Sequence, residues 1–202
     1  MRVAFNLFLG LATVGVAVLG QGHFRRGIRL RIFGIAGWSG SGKTTLIEQV
    51  IPRLVGLGLV VSLIKHAHHR FDVDHPGKDS WRHRRAGCTE VLVTSGDRWA
   101  LMHELRGNAG LSLATALARI SPCDLVLIEG FKADPIPKIE VWRAEVGKPL
   151  LHPDDPHVLA IATDSPQALP PASKGLATFD LRDYDAIATF VATHARAASR
   201  ED

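Results

Sequence analysis

Short, wholly apolar runs alternate along this chain with stretches whose apolar residues recur at helical spacing. Arg31-Ile32-Phe33-Gly34-Ile35-Ala36 is the first such run, brief and apolar on both parities, the mark of a strand buried on both faces. Thr45 to Val55 repeats its apolar residues every three or four positions and predicts a helix, which Leu57-Gly58 ends with Gly56 and Gly58 as C-cap candidates. Leu59 to Lys65 reads as a second buried strand, and a polar loop from His66 to Gly77 follows. Asp79-Ser80 can cap a helix that runs to Ala86 and stops at Gly87. Thr89 to Thr94 and Arg98 to Glu104 are strand-like, the latter because Trp99, Leu101 and His103 alternate with Ala100 and Met102. Leu111, Ala114, Leu117 and Ala118 mark a short amphipathic helix closed by Ser121-Pro122. Further strands are expected at Asp124 to Gly130, Lys138 to Arg143 and Val158 to Asp164, and a terminal helix at Asp183 to Ala197. Strands alternating with helices, without an internal repeat, imply an α/β fold built on a doubly wound, mostly parallel sheet, with the Arg98 and Lys138 strands as candidate antiparallel additions.

The turn after the first strand holds the densest chemistry. Gly37-Trp38-Ser39-Gly40-Ser41-Gly42-Lys43-Thr44 fits G-x-x-x-x-G-K-[ST] at every fixed position, and strand, glycine loop and helix occur in the order a phosphate-binding loop requires. Its glycines let successive amide N–H groups turn inward at the positive end of the following helix, where they cradle α- and β-phosphates. Gly37, Ser39, Gly40, Ser41, Gly42, Lys43, Thr44 and Thr45 are therefore the candidate nucleotide contacts. Lys43 reaches the β- and γ-phosphates and the Thr44 hydroxyl can ligate Mg²⁺. The bland alternative is a glycine turn with a chance lysine, and the flanking elements argue against it.

The strand Asp124 to Gly130 is apolar until it delivers a carboxylate and a glycine at its C-terminal end. Ligands of open α/β sheets sit outside the carboxyl ends of strands, so Glu129 should face the phosphate loop and hold Mg²⁺ or orient the attacking water, with the Gly130 amide near the γ-phosphate. Glu129 and Lys43 are the candidate catalytic residues; a strand-end glutamate turned to solvent is the alternative.

Charge and composition change this picture in one respect. The chain has 202 residues, 46% hydrophobic, enough for one domain with a full core and an appendage. All five charged residues of positions 1–31 are arginines, which leaves 19 basic against 20 acidic residues in the remainder. The alkaline balance belongs to the N-terminus and gives the domain no nucleic-acid footprint. Two distant cysteines, Cys88 and Cys123, argue against a disulfide framework and a thiolate zinc site, and fit a reducing cytoplasm. Val3 to Gly20 is nearly all apolar, and the arginines after it speak against a cleaved export signal. Residues 1–29 are thus an extension to a domain at 30–202: a membrane anchor that leaves the domain cytoplasmic, a helix that is disordered or partner-bound, or the product of a start upstream of the natural one near Ile28 or Leu30.

The loop Lys65-His66-Ala67-His68-His69-Arg70-Phe71-Asp72-Val73-Asp74 admits three readings. His66, His68, His69 and the aspartates could form a metal site suited to Zn or Ni. They could form a switch loop with Asp72 or Asp74 reaching Mg²⁺ or water, the reading preferred here, or simply a solvated loop. Asp79, Arg82 and Arg85 lie on the next helix, where the arginines could bind a substrate phosphate or an acidic partner, or form a solvated face.

Taken together these segments resemble the molybdopterin-guanine dinucleotide biosynthesis protein B family, MobB. The resemblance runs from Phe33 through the phosphate loop to Thr45. It continues in Lys65 to His69, Phe71 to Asp74, Pro76 to Ser80 and Arg82 to Gly87. Arg98 to Leu101, Leu127 to Lys132, Pro137 to Val141 and Ile161 to Asp164 complete it, over roughly residues 30 to 165. It implies a cytoplasmic homodimer of P-loop NTPase type that binds GTP and Mg²⁺ and hydrolyses GTP weakly. Such a protein assists the guanylyltransferase MobA in forming molybdopterin guanine dinucleotide, with molybdopterin or the molybdenum cofactor as a further ligand. Guanine itself is read in translation-type GTPases by [NT]-K-x-D, which Phe131-Lys132-Ala133-Asp134 misses at its first residue; Asp164 is the better candidate for base contact. The rival functions are a metallochaperone GTPase using the histidine loop, a P-loop small-molecule kinase or ligase, and a membrane-tethered adaptor.

Overall fold

The computed structural model describes residues 30–67 and 71–198. In chain order the elements are β1 (Arg31–Ala36), α1 (Lys43–Gly56), β2 (Val61–Lys65), α2 (Asp79–Ala86), β3 (Glu90–Thr94), β4 (Trp99–His103), α3 (Leu113–Leu117) and β5 (Leu125–Glu129). They continue with β6 (Lys138–Val141), β7 (Val158–Thr163), β8 (Ala177–Asp180), α4 (Tyr184–His194) and β9 (Arg196–Ala197).

The apolar runs become a parallel sheet in the order β2-β5-β1-β6-β7-β8. β1 and β5 are apolar on both parities, so they have no wet face to offer and take the centre. Phe33, Ile35, Leu125, Leu127, Ile139 and Val141 point to one face, where Leu46, Val50 and Leu54 of α1 and Ile187 and Val191 of α4 cover them. Ile32, Val126 and Ile128 point to the other and meet Leu113 of α3 and Ile136. The chain leaves β1 through α1 towards β2 on one side, and builds β6, β7 and β8 on the other. The crevice at the carboxyl end of β1 is therefore a topological switch point, the place where such sheets bind ligands.

The end of α1 is set locally. Leu59 N–H donates to Leu54 carbonyl oxygen (3.3 Å) and Gly58 N–H to that of Val55 (2.8 Å), a Schellman closure with Gly58 at φ +81°.

Several elements depart from the sequence pattern for identifiable reasons. The Lys138 strand is not an antiparallel addition: β6 lies parallel between β1 and β7. Its alternation of charged and apolar residues does not mark a wet face either, because Lys138 and Glu140 are as buried as Ile139 and Val141 and find polar partners inside. The Arg98 strand pairs only with β3, antiparallel, in a sheet of its own. The antiparallel member of the main sheet is β9, beside Arg31 and Ile32 where β6 leaves that edge of β1 free. It exists because the terminal helix, expected to reach Ala197, breaks at Ala195, which turns to ψ 129°. β2, expected to be buried, is an edge strand with Leu63 38% exposed. Asp79 lies within the first turn of α2 and the N-cap position falls to Lys78. β8 carries a single bulky apolar residue, Phe179, and offered no pattern to read. Among the described residues no helix is long and apolar enough to cross a membrane; Val3 to Gly20 lie outside them.

Candidate nucleotide-binding site

At the switch point the chain leaves β1 and wraps residues 37–42 around the start of α1. A side chain at Gly37 would place its Cβ 2.4 Å from the Val141 carbonyl oxygen, so only glycine lets the loop lie against β6. α1 begins at Lys43 with no side-chain cap on its first amides and no acid in its first turn. An uncapped helix start leaves a partial positive charge and N–H donors for an external anion. A cavity of about 540 Å³ opens here, within the range of small-molecule sites. All predicted phosphate contacts line it except Ser41, which is buried beneath the loop with a hydroxyl that meets no partner.

Lys43 Nζ donates to the Trp38 carbonyl oxygen at 2.7 Å, bridging the mouth of the loop. Partial burial lowers its pKa, and Lys132 and Lys65 push the same way against the attraction of Glu129. A site that crowds ammonium groups to this extent is short of negative charge.

The register of β1, β5 and β2 supplies the rest. Ile35 pairs with Glu129, and Glu129 with Lys65, so their ends form one rim beside the loop. Glu129 is 8% exposed, lines the cavity and holds Lys65 Nζ at 3.2 Å. The solvent-facing alternative for this glutamate is thereby corrected. Gly130, at φ +96°, lies against the next strand's exit: a Cβ there would come 2.8 Å from that of His66. Thr44 and Glu129 on opposite walls offer the hydroxyl and carboxylate oxygens that Mg²⁺ prefers, so the residues present fit that ion.

Other predicted residues fall elsewhere. His66 lines the cavity, its amide on the Glu129 carbonyl oxygen (2.8 Å) and its ring 4.8 Å from that of Phe131. His68 and His69 lie outside the described residues. Asp72 and Asp74 do not line the cavity; both carboxylates turn to Arg84 of α2, at 2.9 and 3.4 Å, and Arg84 also pairs with Glu104. Hydrogen bonds from its own loop and from Arg84 hold the Asp72 carboxyl below the usual range, and hydrogen bonds to Glu104 first, then to Asp72 and Asp74, raise the Arg84 guanidinium. Asp79, Arg82 and Arg85 are exposed, Arg82 3.9 Å from Asp79 and Arg85 over the Trp81 ring. Asp164 follows β7 directly, outside the cavity lining, and accepts from Arg143 Nε (2.7 Å) and Ser165 Oγ (2.9 Å). Burial opposes its ionisation, but these partners hold its carboxyl below the usual value. Among the described residues no three His, Cys, Asp or Glu side chains cluster so as to hold a metal ion.

Under the site, buried charges of β6 fix the segment that follows it. Lys138 Nζ donates to Asp155 at 2.7 Å and to two carbonyl oxygens, and Glu140 accepts the amides of Leu151 (2.7 Å) and His152 (3.0 Å). The same segment accepts the Trp38 indole N–H on Pro149 (2.7 Å), which ties it to the phosphate loop. Lys65 and Lys132 are the site residues the sequence reading did not assign to the phosphates. The available signal was a lysine at, or just beyond, the carboxyl end of each of two strands that the fold makes neighbours.

Parallel sheet, glycine loop, uncapped helix and strand-end carboxylate define a P-loop protein of the α/β class. Comparison with known proteins narrows this. The family described as "Molybdopterin guanine dinucleotide synthesis protein B" (MobB) matches residues 32–164. The chain is 46% identical over 138 residues to the molybdopterin-guanine dinucleotide biosynthesis adapter protein of Haemophilus influenzae, covering 68% of this chain and 77% of that one. It is 42% identical over 163 residues to its Escherichia coli namesake, covering 79% and 90%. The crystal structure of Bacillus subtilis MobB superposes with a TM-score of 0.64 at 25% identity, over 83% of this chain and 99% of that one. The chain belongs to the MobB family.

Proposed function

We propose that the protein is a GTP-binding adapter in the synthesis of molybdopterin guanine dinucleotide. It acts as a homodimer beside the guanylyltransferase MobA and hydrolyses GTP slowly. The observation that carries this reading is the cavity at the end of β1, where an uncapped helix start and three lysines face one buried carboxylate. The Gly40 to Thr45 backbone would hold the β-phosphate, Lys43 the β- and γ-phosphates, and Glu129 would orient water at the γ-phosphate. Bound between Thr44 and Glu129, Mg²⁺ would neutralise charge on the phosphates. Slow turnover fits the site: Glu129 rests against Lys65, so the carboxylate that would orient the water is already engaged. Asp164 is the candidate for the guanine contact, on condition that nucleotide binding draws it from Arg143.

The homodimer reading rests on the hairpin. Cross-strand pairs Leu92–Leu101 and Thr94–Trp99 share one face of β3 and β4, and Leu92, Leu101 and Trp99 are 61%, 50% and 65% exposed. A second copy that presents the same face would cover them.

Calorimetric titration with GTP, ATP and GDP in the presence of Mg²⁺ tests the assignment. GTP is expected to bind more tightly than ATP, and Asp164→Asn to narrow that difference. Absence of binding by any of the three would overturn the reading.

A further inference from the structure

Beyond the loop lysine, the cavity contains a second cation that pairs with no carboxylate among the described residues, and the fold holds it in place by a strained turn. Lys65 is paired with Glu129. Lys132 is not: among the described residues its close contact is the indole of Trp38, with Nζ 4.2 Å above the ring centroid. It nevertheless lines the phosphate cavity.

The turn that brings it there is uncommon. After Glu129 the chain takes two consecutive left-handed residues, Gly130 at φ +96° and Phe131 at φ +49°. A phenylalanine in that region is disfavoured and persists only when its surroundings enforce it. Here they do so from two sides. The Phe131 side chain packs on the cluster of Ile32, Val126, Ile128 and Ile136 and meets the His66 ring, while Gly130 lies against the His66 backbone. The result folds the chain back at the end of β5 and brings Lys132 to Trp38, the second residue of the phosphate loop. Two lysines then converge on one residue, Lys43 on its carbonyl oxygen and Lys132 on its ring.

Lys43 serves the β- and γ-phosphates of a nucleotide bound in such a loop. Lys132, which meets Lys43 at Trp38, is the further cation available to the outermost phosphate. We infer that Lys132 is a specificity-determining residue that leaves the Trp38 ring to bind the γ-phosphate, so that the site distinguishes nucleoside triphosphate from diphosphate. The indole is a suitable resting place: a cation over an aromatic face is held more weakly than one hydrogen-bonded to phosphate oxygens, so the exchange is favourable. This inference rests on the nucleotide-binding reading of the cavity.

The test is calorimetric titration of GTP and GDP with Mg²⁺ against the full chain and its Lys132→Met, Lys132→Gln and Lys132→Arg variants, with Lys43→Ala as the control. Melting curves verify that each variant folds. Loss of one charge-assisted phosphate contact predicts a GTP affinity lowered about tenfold to a hundredfold in Met and Gln, with GDP affinity within about twofold of the parent and the GTP preference largely kept in Arg. Equal losses for both nucleotides, or no loss, would overturn the role of Lys132 while leaving the cavity assignment standing. Failure of the parent chain to bind either nucleotide, or a Lys43→Ala protein that binds both as well as the parent, would overturn the cavity assignment itself.

Discussion

The sheet around the phosphate loop and the lobe from α2 to β4 both contain apolar strands, yet they use them in opposite ways. In β5 every residue is buried, and the charges that enter β6, on the far side of β1, are met by an ion pair and by loop amides. In α2 no residue is buried, and the β3–β4 hairpin leaves Leu92, Trp99 and Leu101 in water. What fixes the lobe to the sheet's loop is polar: Arg84 gathers Asp72 and Asp74 from the loop after β2 and Glu104 from just beyond β4. The sheet's shape is thus specified by its own core, whereas the lobe leaves large apolar residues on its surface.

Truncation in each region separates the two cases most widely. Leu127→Ala leaves a cavity under α1 and should destabilise the fold by about 2–5 kcal/mol, read as a lower denaturant midpoint. Leu92→Ala removes a side chain that is already in water and should leave the midpoint of dilute protein within about 0.5 kcal/mol. Its effect should appear instead as a shift towards monomer in sedimentation velocity, more so when combined with Leu101→Ser. Comparable destabilisation by both single substitutions would mean that the hairpin face packs against its own chain.

Glycines sharpen the same comparison, because both regions contain one at positive φ. Gly87 ends α2 at φ +121° with open space around it, and Gly130 ends β5 at φ +96° against His66. Gly87→Ala should incur only the backbone cost of a left-handed residue, about 1–2 kcal/mol. Gly130→Ala adds a contact at 2.8 Å that neither backbone can easily relieve, so it should cost more in thermal stability and also weaken nucleotide binding. Equal melting temperatures for the two variants would show that the wall of the cavity yields.

How much of this was legible in the sequence follows from where each residue finds its partners. The glycine loop, the strand-end position of Glu129 and the alternation of strands with helices around them could be read because each is encoded by residues adjacent in the chain. Lys138 and Glu140 could not be: their alternation with Ile139 and Val141 is the pattern of a half-wet strand, and only Asp155, Leu151 and His152, more than ten residues on, make burial tolerable. Asp72 and Asp74 offered carboxylates near a nucleotide site, and nothing local showed that Arg84 would take both. β9 was hidden for the same reason. Two residues gain strand geometry from the free edge of β1, and neither Arg196 nor Ala197 announces it.

The buried carboxylate of β6 gives the smallest effect and the most direct probe of how the sheet accommodates charge. Burial raises the pKa of Glu140 above the ordinary 4.5, and the amides of Leu151 and His152 offset this only in part. A carboxyl whose pKa is higher in the folded chain binds its proton more tightly there than in the unfolded chain. Its contribution to stability is therefore complete below the unfolded value of about 4.5 and is lost as pH rises through the folded value. Glu140→Gln does not titrate and loses one of the two amide bonds, so the variant should be less stable than the parent at low pH. Its deficit should shrink as pH rises through the window above 4.5, in denaturant titrations of both proteins at matched pH. Asp155 has the opposite sign. Burial opposes its charge, but Lys138 and the His157 amide together outweigh burial and lower its pKa, so its contribution fades only as pH falls below the ordinary 3.8. The two acids thus act in separate pH ranges and do not mask each other. A deficit that stays constant from pH 4.5 to neutrality would mean that the loop amides alone compensate the Glu140 charge, and that the sheet holds it at no cost.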